Sequence, residues 1–216
     1  MKKILDRTTA VTTLITLLSI VPALLLYHRL PEEVAIHFNA HGVADGWASR
    51  PVAVFALPLL LGAINLVLQF MLLTDPKRDT GSQVFRLARW TIAPVSVVVN
   101  TLTLLIALDV PVKIERIIPL TIAILFLVIG NYLPKSKQNY TIGIKIPWTL
   151  ASTENWNKTH RLAGWVWSIG SLVIIIALLS GLPAMALFLA VTALMVIIPV
   201  IYSYLLYRKE EPSDSA

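Results

Sequence analysis

Two segments of this sequence carry side chains that can bind ligands or do chemistry. The first, residues 30–51, places two imidazoles and a carboxylate within nine residues, at His37, His41 and Asp45. Such a set occurs at catalytic zinc sites, so zinc or another divalent metal is one hypothesis for these three residues. Their spacing matches no known zinc motif, and two glycines in the segment oppose the helix that would bring the three side chains onto one face.

Residues 30–51, called the outer segment below, also have a structural interpretation. Val34 to Phe38 is β-prone, whereas Gly42 and the pair Asp45-Gly46 favour turns. In this interpretation Asn39 and Asp45 stabilise turns, and the imidazoles hydrogen-bond to backbone at the membrane interface. In either case we expect His37, Asn39 and Asp45 to form one hydrogen-bonded or ligand-binding cluster close to the membrane surface.

The second segment, residues 134–161, is the longest polar stretch of the chain and reads PKSKQNYTIGIKIPWTLASTENWNKTHR. It carries five Lys or Arg residues and one acid. Irregular connections longer than about 12–15 residues are usually functional or disordered. The candidate ligand-binding or partner-binding residues in or next to this segment are Asn131, Asn139, Trp148, Trp156, His160 and Arg161.

Residues 134–161 are called the inner segment below. From Thr149 onwards this segment has a helical pattern. Ser152 is the predicted N-cap, and Glu154 lies in the first turn, where a negative charge suits the helix dipole. One interpretation is interfacial, with the tryptophans at headgroup depth and the Lys and Arg side chains on anionic lipid. The other has the segment dock a cytosolic protein or complete a ligand site. We expect the loop to be ordered, with Asn139, Trp148 and His160 in or near one pocket.

The composition of the chain indicates that both segments are held by helices in a membrane. Of the 216 residues, 56% are hydrophobic and only 14% are charged, whereas soluble domains have about 25% charged residues. A helical span needs roughly 20 apolar residues, and the stretches that qualify are 8–28, 52–74, 90–109, 115–133, 163–181 and 183–207. The predicted fold is therefore all-α integral membrane, with six transmembrane helices, a decorated outer loop (30–51) and a decorated inner loop (134–161). We divide it into a two-span unit, 1–75, and a four-span unit, 76–216.

The distribution of Lys and Arg predicts the orientation. With these spans, fourteen of the 18 lie on one side of the membrane and four on the other. Because cytoplasmic loops are enriched in Lys and Arg, both termini are expected in the cytoplasm. The net charge of +6 then reflects contact with the lipid bilayer, and no direct binding of nucleic acid is expected. The absence of cysteine excludes disulfides and thiolate chemistry.

Polar groups are few within the predicted spans. Asn65, Gln69 and Asn100 indicate either hydrogen bonds between helices or a substrate pathway, and no clear charge lies at a span centre. Ion-coupled transporters usually place ionisable groups there, which argues against a small-molecule transporter. A metal-assisted membrane enzyme is the other alternative, although no nucleophile–base pair or zinc-protease helix supports it.

Residues 130–165 strongly resemble the defining stretch of the SdpI family of bacterial membrane proteins. The matching features are Gly130-Asn131-Tyr132, Pro134-Lys135, Asn139-Tyr140, Gly143-Ile144, Pro147-Trp148-Thr149-Leu150, Trp156 and the run from Asn157 to Arg161. The outer segment is similar to a domain of unknown function common at the N-terminus of those proteins, through Leu30-Pro31, His37-Phe38-Asn39, Gly42 and Asp45-Gly46.

The resemblance implies a role rather than a reaction. The family's namesake protects its producer from a secreted killing peptide and, as a membrane receptor, sequesters a transcriptional repressor. The implied partners are therefore an extracellular toxin peptide and a cytosolic repressor protein, with no cofactor expected. Composition and spacing do not themselves indicate immunity.

Overall fold

The structure is a computed structural model that describes residues 6–210. Lys2 and Lys3, which contribute to the predicted orientation, lie outside these residues. In chain order the elements are α1 (Arg7–Leu18), α2 (Val21–Leu25), β1 (Glu33–Phe38), β2 (Ala44–Ser49), α3 (Arg50–Thr74), α4 (Gln83–Trp90), α5 (Ile92–Ala107), α6 (Ile114–Tyr132), α7 (Pro147–Ala151), α8 (Thr153–Leu179) and α9 (Met185–Glu210).

The predicted six-span layout is confirmed. Among the described residues, six helical segments are long and apolar enough to cross a membrane: Arg7–Leu25, Arg50–Thr74, Gln83–Ala107, Ile114–Lys135, Thr153–Leu179 and Met185–Lys209. Helices suit this environment because they satisfy their backbone hydrogen bonds internally where water is absent. The protein is therefore a multi-pass, all-α membrane protein with one small β-hairpin.

The chain folds into two compact units. Unit 1 comprises Met1–Thr74 with Arg86–Ile117, and unit 2 comprises Asp75–Phe85 with Ile118–Ala216. The sequence-based division at residue 75 instead assigned the third span to the second unit. The structure has that span in unit 1 from Arg86 onwards, because α5 packs against α1 and α3.

Two of the spans in unit 1 are interrupted. The first is broken between α1 and α2, where Pro22 occupies the first turn of the second helix. The third is broken at Thr91, three residues before Pro94. Proline has no backbone N–H to donate to the carbonyl four residues earlier, so each proline removes a helical hydrogen bond next to the break.

Unit 1 also buries a charge that the sequence analysis did not place inside the protein. Arg89 of α4 is 6% exposed, and its guanidinium donates to both carboxylate oxygens of Asp6 and to Gln69 Oε1. This ion pair holds the pKa of Asp6 well below its ordinary value. The predicted spans left Arg89 in the connection before the third span, whereas it lies near the beginning of that helical segment. The helix was predicted to begin at residue 90 but begins at Gln83.

The amides of unit 1 make hydrogen bonds between helices. Asn65 Nδ2 donates to Thr12 Oγ1 at 3.2 Å and to Thr13 Oγ1 at 2.9 Å. Asn100 Nδ2 donates to Ser19 Oγ at 3.0 Å. These contacts support the packing interpretation of the intramembrane amides over a substrate pathway.

In unit 2, neighbouring parts of the chain approach each other closely at glycines. A Cβ added at Gly164 would lie 2.4 Å from Pro134 Cγ, and one at Gly130 would lie 2.9 Å from the Ser168 nitrogen. The last two spans form a tight helical hairpin, because α8 ends at Leu179 and α9 begins at Met185. The turn uses Gly181 at a φ of 81°.

Candidate functional site

The outer segment folds as an antiparallel hairpin in unit 1. Val34 pairs with Ala48 and is only 2% exposed, so this face of the hairpin packs on the helices. Ala35 pairs with Trp47, and these two share the opposite face because side chains alternate along a strand. The predicted strand at Val34–Phe38 is confirmed.

Of the two turns predicted in this segment, the one at Gly42 is confirmed. It lies at residues 39–42, where Gly42 adopts a φ of 75°. Asn39 Oδ1 accepts hydrogen bonds from the backbone nitrogens of His41 at 2.9 Å and Val43 at 3.1 Å. The turn predicted at Asp45-Gly46 is wrong, because those residues form β2. Asn39 therefore has the predicted turn-stabilising role.

One ionisable pair stands out on the hairpin. His37 Nδ1 lies 2.5 Å from Asp45 Oδ1, and the imidazole is 72% exposed. Gly46 is the register partner of His37, and a Cβ added there would lie 2.9 Å from His37 Cβ. Glycine thus lets the imidazole lie across the strand and reach Asp45.

The proposed three-residue cluster is only partly assembled. His37 and Asp45 are brought together, whereas the Asn39 side chain bonds the turn backbone. His41 contributes its backbone nitrogen to the same turn. Across residues 6–210, no group of three or more His, Cys, Asp or Glu side chains is arranged to hold a metal ion.

The inner segment, in unit 2, is held by its own asparagine. Asn139 Oδ1 accepts from the nitrogens of Thr141 at 2.8 Å and Ile142 at 2.6 Å. Its Nδ2 donates to the carbonyls of Lys137 at 2.8 Å and Ile142 at 3.0 Å. Asn139 is buried, so the amide replaces the hydrogen bonds that the loop backbone would otherwise make with water.

Trp156 and His160 form the centre of this loop. Their rings stack with centroids 4.0 Å apart, and both are essentially buried, at 0% and 1% exposure. Trp156 Nε1 donates to the Ser136 carbonyl at 2.7 Å. The predicted order of this loop follows from these contacts, since burying an aromatic side chain is among the largest single contributions to stability.

The hydrogen bonds of His160 determine its protonation state. Ile144 N–H donates to Nε2 at 3.0 Å, so that nitrogen must be the acceptor. Nδ1 lies 2.8 Å from the Trp156 carbonyl, so it must carry the proton. His160 is therefore a neutral imidazole with both nitrogens occupied, which makes it a structural bridge rather than a free proton carrier.

Gly143 allows the loop to close on this pair. Its φ is 117°, and a Cβ added there would lie 2.4 Å from His160 Nε2 and 3.0 Å from the Trp156 ring. Any larger residue would push the loop off the stacked rings.

Asp75 anchors the loop from outside the segment, and the sequence analysis did not identify it. Its carboxylate is buried and accepts from the Tyr140 nitrogen at 2.8 Å and from Thr141 Oγ1 at 2.8 Å. Its other oxygen accepts from the Lys77 nitrogen. Only its position immediately after an apolar helix could have drawn attention to it.

The helical part of the inner segment begins as predicted. Ser152 caps α8 by accepting from the Asn155 nitrogen at 3.1 Å, and Glu154 lies in the first turn. The short helix α7 precedes it, with Thr149 Oγ1 accepting from the Ile146 nitrogen at 3.1 Å.

Trp148 occupies a different environment from the other site residues. It packs on the aromatic rings of Tyr204 and Tyr207 in α9, with centroids 5.0 and 6.3 Å away. The structure thus brings Asn139 and His160 into one wrapped loop and places Trp148 on α9. Asn131 and Arg161 are both exposed.

Basic side chains surround the inner loop. Lys137 Nζ lies 3.0 Å from Asp79 Oδ2, and this neighbour lowers the pKa of the Asp79 carboxyl. Lys77 Nζ lies 5.0 Å from the Tyr140 ring centroid and donates to Gln138 Oε1 at 3.1 Å. Gln138 Nε2 in turn donates to the Thr149 carbonyl, which links the loop to α7.

Both segments overlap regions that match known protein families. Residues 135–203 match the SdpI/YfhL protein family, and residues 14–62 match a domain of unknown function, DUF1648. The chain is 27% identical over 200 residues to the immunity protein SdpI of Bacillus subtilis, covering 92% of this chain and 95% of that protein. No solved structure matches. The resemblance drawn from the sequence is therefore confirmed.

Proposed function

We propose that this protein protects a bacterial cell from an antimicrobial peptide. It carries a region that matches the SdpI/YfhL family and resembles an immunity protein along nearly its whole length. The observation that carries the proposal is the 27% identity over 92% of the chain. The protein acts without catalysis, as a multi-pass protein of the bacterial cell membrane. Both termini lie in the cytoplasm, so the hairpin faces the outside.

The arrangement of the two segments supports this assignment. The hairpin presents exposed side chains on a rigid base, which suits recognition of an external peptide. The inner loop is fastened by buried hydrogen bonds and exposes basic groups, which suits a permanent surface for a cytosolic protein. We propose a repressor as that cytosolic partner, held at the membrane when peptide is present.

Complementation tests the immunity function. Bacillus subtilis cells that lack their own immunity protein SdpI should survive co-culture with the parent strain when they produce this chain. Trp148→Ala should abolish survival at normal membrane levels, because it removes the ring that seats α7 on α9. Trp165→Ala is the matched control, since Trp165 is 67% exposed and lies outside the segment.

Three outcomes would count against the proposal or its parts. Unprotected cells with normal amounts of wild-type protein would refute the immunity function. Loss of the Trp148→Ala protein itself would assign Trp148 a structural role. Full protection by that variant would remove the α7 contact from the functional site.

Labelling tests the orientation, because the chain has no cysteine of its own. Ala40→Cys should react with an impermeant maleimide in intact cells, and Ala151→Cys only after permeabilisation. Both positions are exposed. The reverse pattern would overturn the orientation.

A further inference from the structure

The outer hairpin carries a charge opposite to that of the whole chain. Between residues 31 and 49 there are three carboxylates, Glu32, Glu33 and Asp45, and no Lys or Arg, in a chain whose net charge is +6. A fourth carboxylate, Glu115, lies against the turn, where it would be 2.6 Å from a Cβ added at Gly42. The hairpin is thus locally acidic.

Two basic residues border the hairpin at its base. Arg29 and Arg50 border the segment in sequence. Arg50 is already engaged, because its Nε donates to the Pro31 carbonyl at 3.1 Å and its guanidinium lies 5.5 Å from the Tyr27 ring centroid. Arg50 therefore fastens the hairpin to its neighbouring helix more than it neutralises the carboxylates farther along.

The same hairpin exposes large apolar side chains. Ile36, Val43 and Trp47 are 53%, 60% and 56% exposed. Trp47 shares a face with Ala35, its register partner, and Glu33 lies two residues before Ala35 on that same face. Tryptophan at the centre of a patch with charges around it is the composition typical of protein-binding surfaces.

The charge decides between two occupants of this face. A tryptophan near a span end also suits the membrane interface, but interfacial segments that bind anionic lipid carry Lys and Arg rather than carboxylates. Carboxylates beside exposed apolar groups are instead complementary to a positively charged peptide.

We propose that the outward face of the hairpin, formed by Glu33, Asp45 and Trp47, is a docking surface for a cationic peptide with apolar side chains. The apolar groups of the peptide cover Trp47, and its Lys or Arg side chains meet the carboxylates. This inference rests on the proposed immunity function and names the chemistry of the peptide that the protein meets.

Binding to the full chain in phosphatidylcholine nanodiscs tests the proposal. The probe is a synthetic ten-residue peptide of alternating lysine and leucine, and the matched probe replaces every lysine with glutamate. The lysine peptide should bind the protein above the level of empty discs, with an affinity that falls as salt is added. The glutamate peptide should bind at least about tenfold more weakly.

Matched variants locate the surface. Trp47→Ala should weaken binding of the lysine peptide about tenfold, and the double change Glu32→Gln with Glu33→Gln about threefold to tenfold with a smaller salt dependence. Trp165→Ala and Glu154→Gln, which remove an exposed tryptophan and a carboxylate elsewhere, should leave the affinity unchanged.

Four results would overturn the inference. These are equal binding of the two peptides, binding no stronger than to empty discs, equal losses in the control variants, and membrane burial of Trp47. Membrane burial would appear in samples without peptide. The fluorescence of Trp47, taken as the difference between the wild type and Trp47→Phe, would then be quenched by brominated lipid.

If the wild type protects cells and the hairpin variants protect equally well, the docking surface is refuted and immunity stands. If the wild type fails to protect, immunity is refuted regardless of peptide binding.

Discussion

The outer hairpin and the inner loop use the same two side-chain types in different ways. Asn39 and Asn139 each accept two backbone N–H groups that follow in the chain. Each segment also contains a histidine with an engaged Nδ1, at His37 and His160. The outer pair is exposed and the inner pair is buried. Burial therefore separates an exposed surface from a loop whose shape is already set.

The largest difference in stability between the two segments is expected for two tryptophan substitutions. Trp156→Ala should lower the free energy of unfolding by about 3–5 kcal/mol, because it empties a fully buried site and removes the stacking partner of His160. Trp47→Ala should lower it far less, since that ring is more than half exposed. Thermal unfolding in nanodiscs measures both, and equal losses would contradict the contrast.

Two glycines with positive φ give the next largest difference. Gly143→Ala should cost about 2–4 kcal/mol, because it adds a left-handed alanine and a clash with two rigid rings. Gly42→Ala should cost about 1–2 kcal/mol, since the group it meets is the movable Glu115 side chain. The same unfolding measurement ranks them, and a larger loss at Gly42 would mean that the hairpin is the more rigid segment.

The two asparagines provide a subtler comparison. Asn139→Ala leaves several buried loop groups without partners and should cost about 2–3 kcal/mol, whereas Asn39→Ala exposes its turn to water and should cost about 1 kcal/mol or less. We expect Asn39→Ala and Asp45→Ala to have similar effects on protection. Survival in the co-culture assay checks this, and loss of protection in one variant alone would separate the turn from the ion pair.

The smallest expected effect is the pH dependence of an exposed ion pair next to the inner loop. Lys137 lowers the pKa of Asp79, so the pair stabilises the fold above the ordinary aspartate pKa of about 4. That contribution is lost as the pH falls through the lowered value. Asp79→Asn should therefore lower the midpoint of thermal unfolding slightly at pH 7 and not at all in strong acid. Lys137→Gln should do the same, and a difference that grows toward acid pH would contradict this assignment.

Local signals were sufficient to predict the spans and one cap. Apolar runs of about twenty residues predict membrane helices because the bilayer leaves few other backbone structures. Ser152 was found for a similar reason, since an N-cap depends on the next three residues alone. Features that depend on a few neighbouring residues can be predicted from one sequence.

The features that the sequence analysis missed depend on distant partners. β2 has the sequence ADGWAS, which has low strand propensity, and it is extended because it pairs with β1. Asp75 and Arg89 are polar residues next to apolar helices, and their carboxylate and guanidinium are satisfied by groups 65 and 83 residues away. Because both residues are charged, the sequence predicted that they lie in connecting loops. Only the folded chain supplies the partners that allow their burial.

The bridge formed by His160 has a consequence for hydrogen exchange. The amide proton of Ile144 is donated to a buried imidazole nitrogen, so it can exchange with solvent only when the loop lifts from the stacked rings. Its exchange rate therefore reports the opening free energy of the inner loop as a separate unit. A partner that binds the closed loop should slow that single proton, whereas one that needs the loop open should speed it.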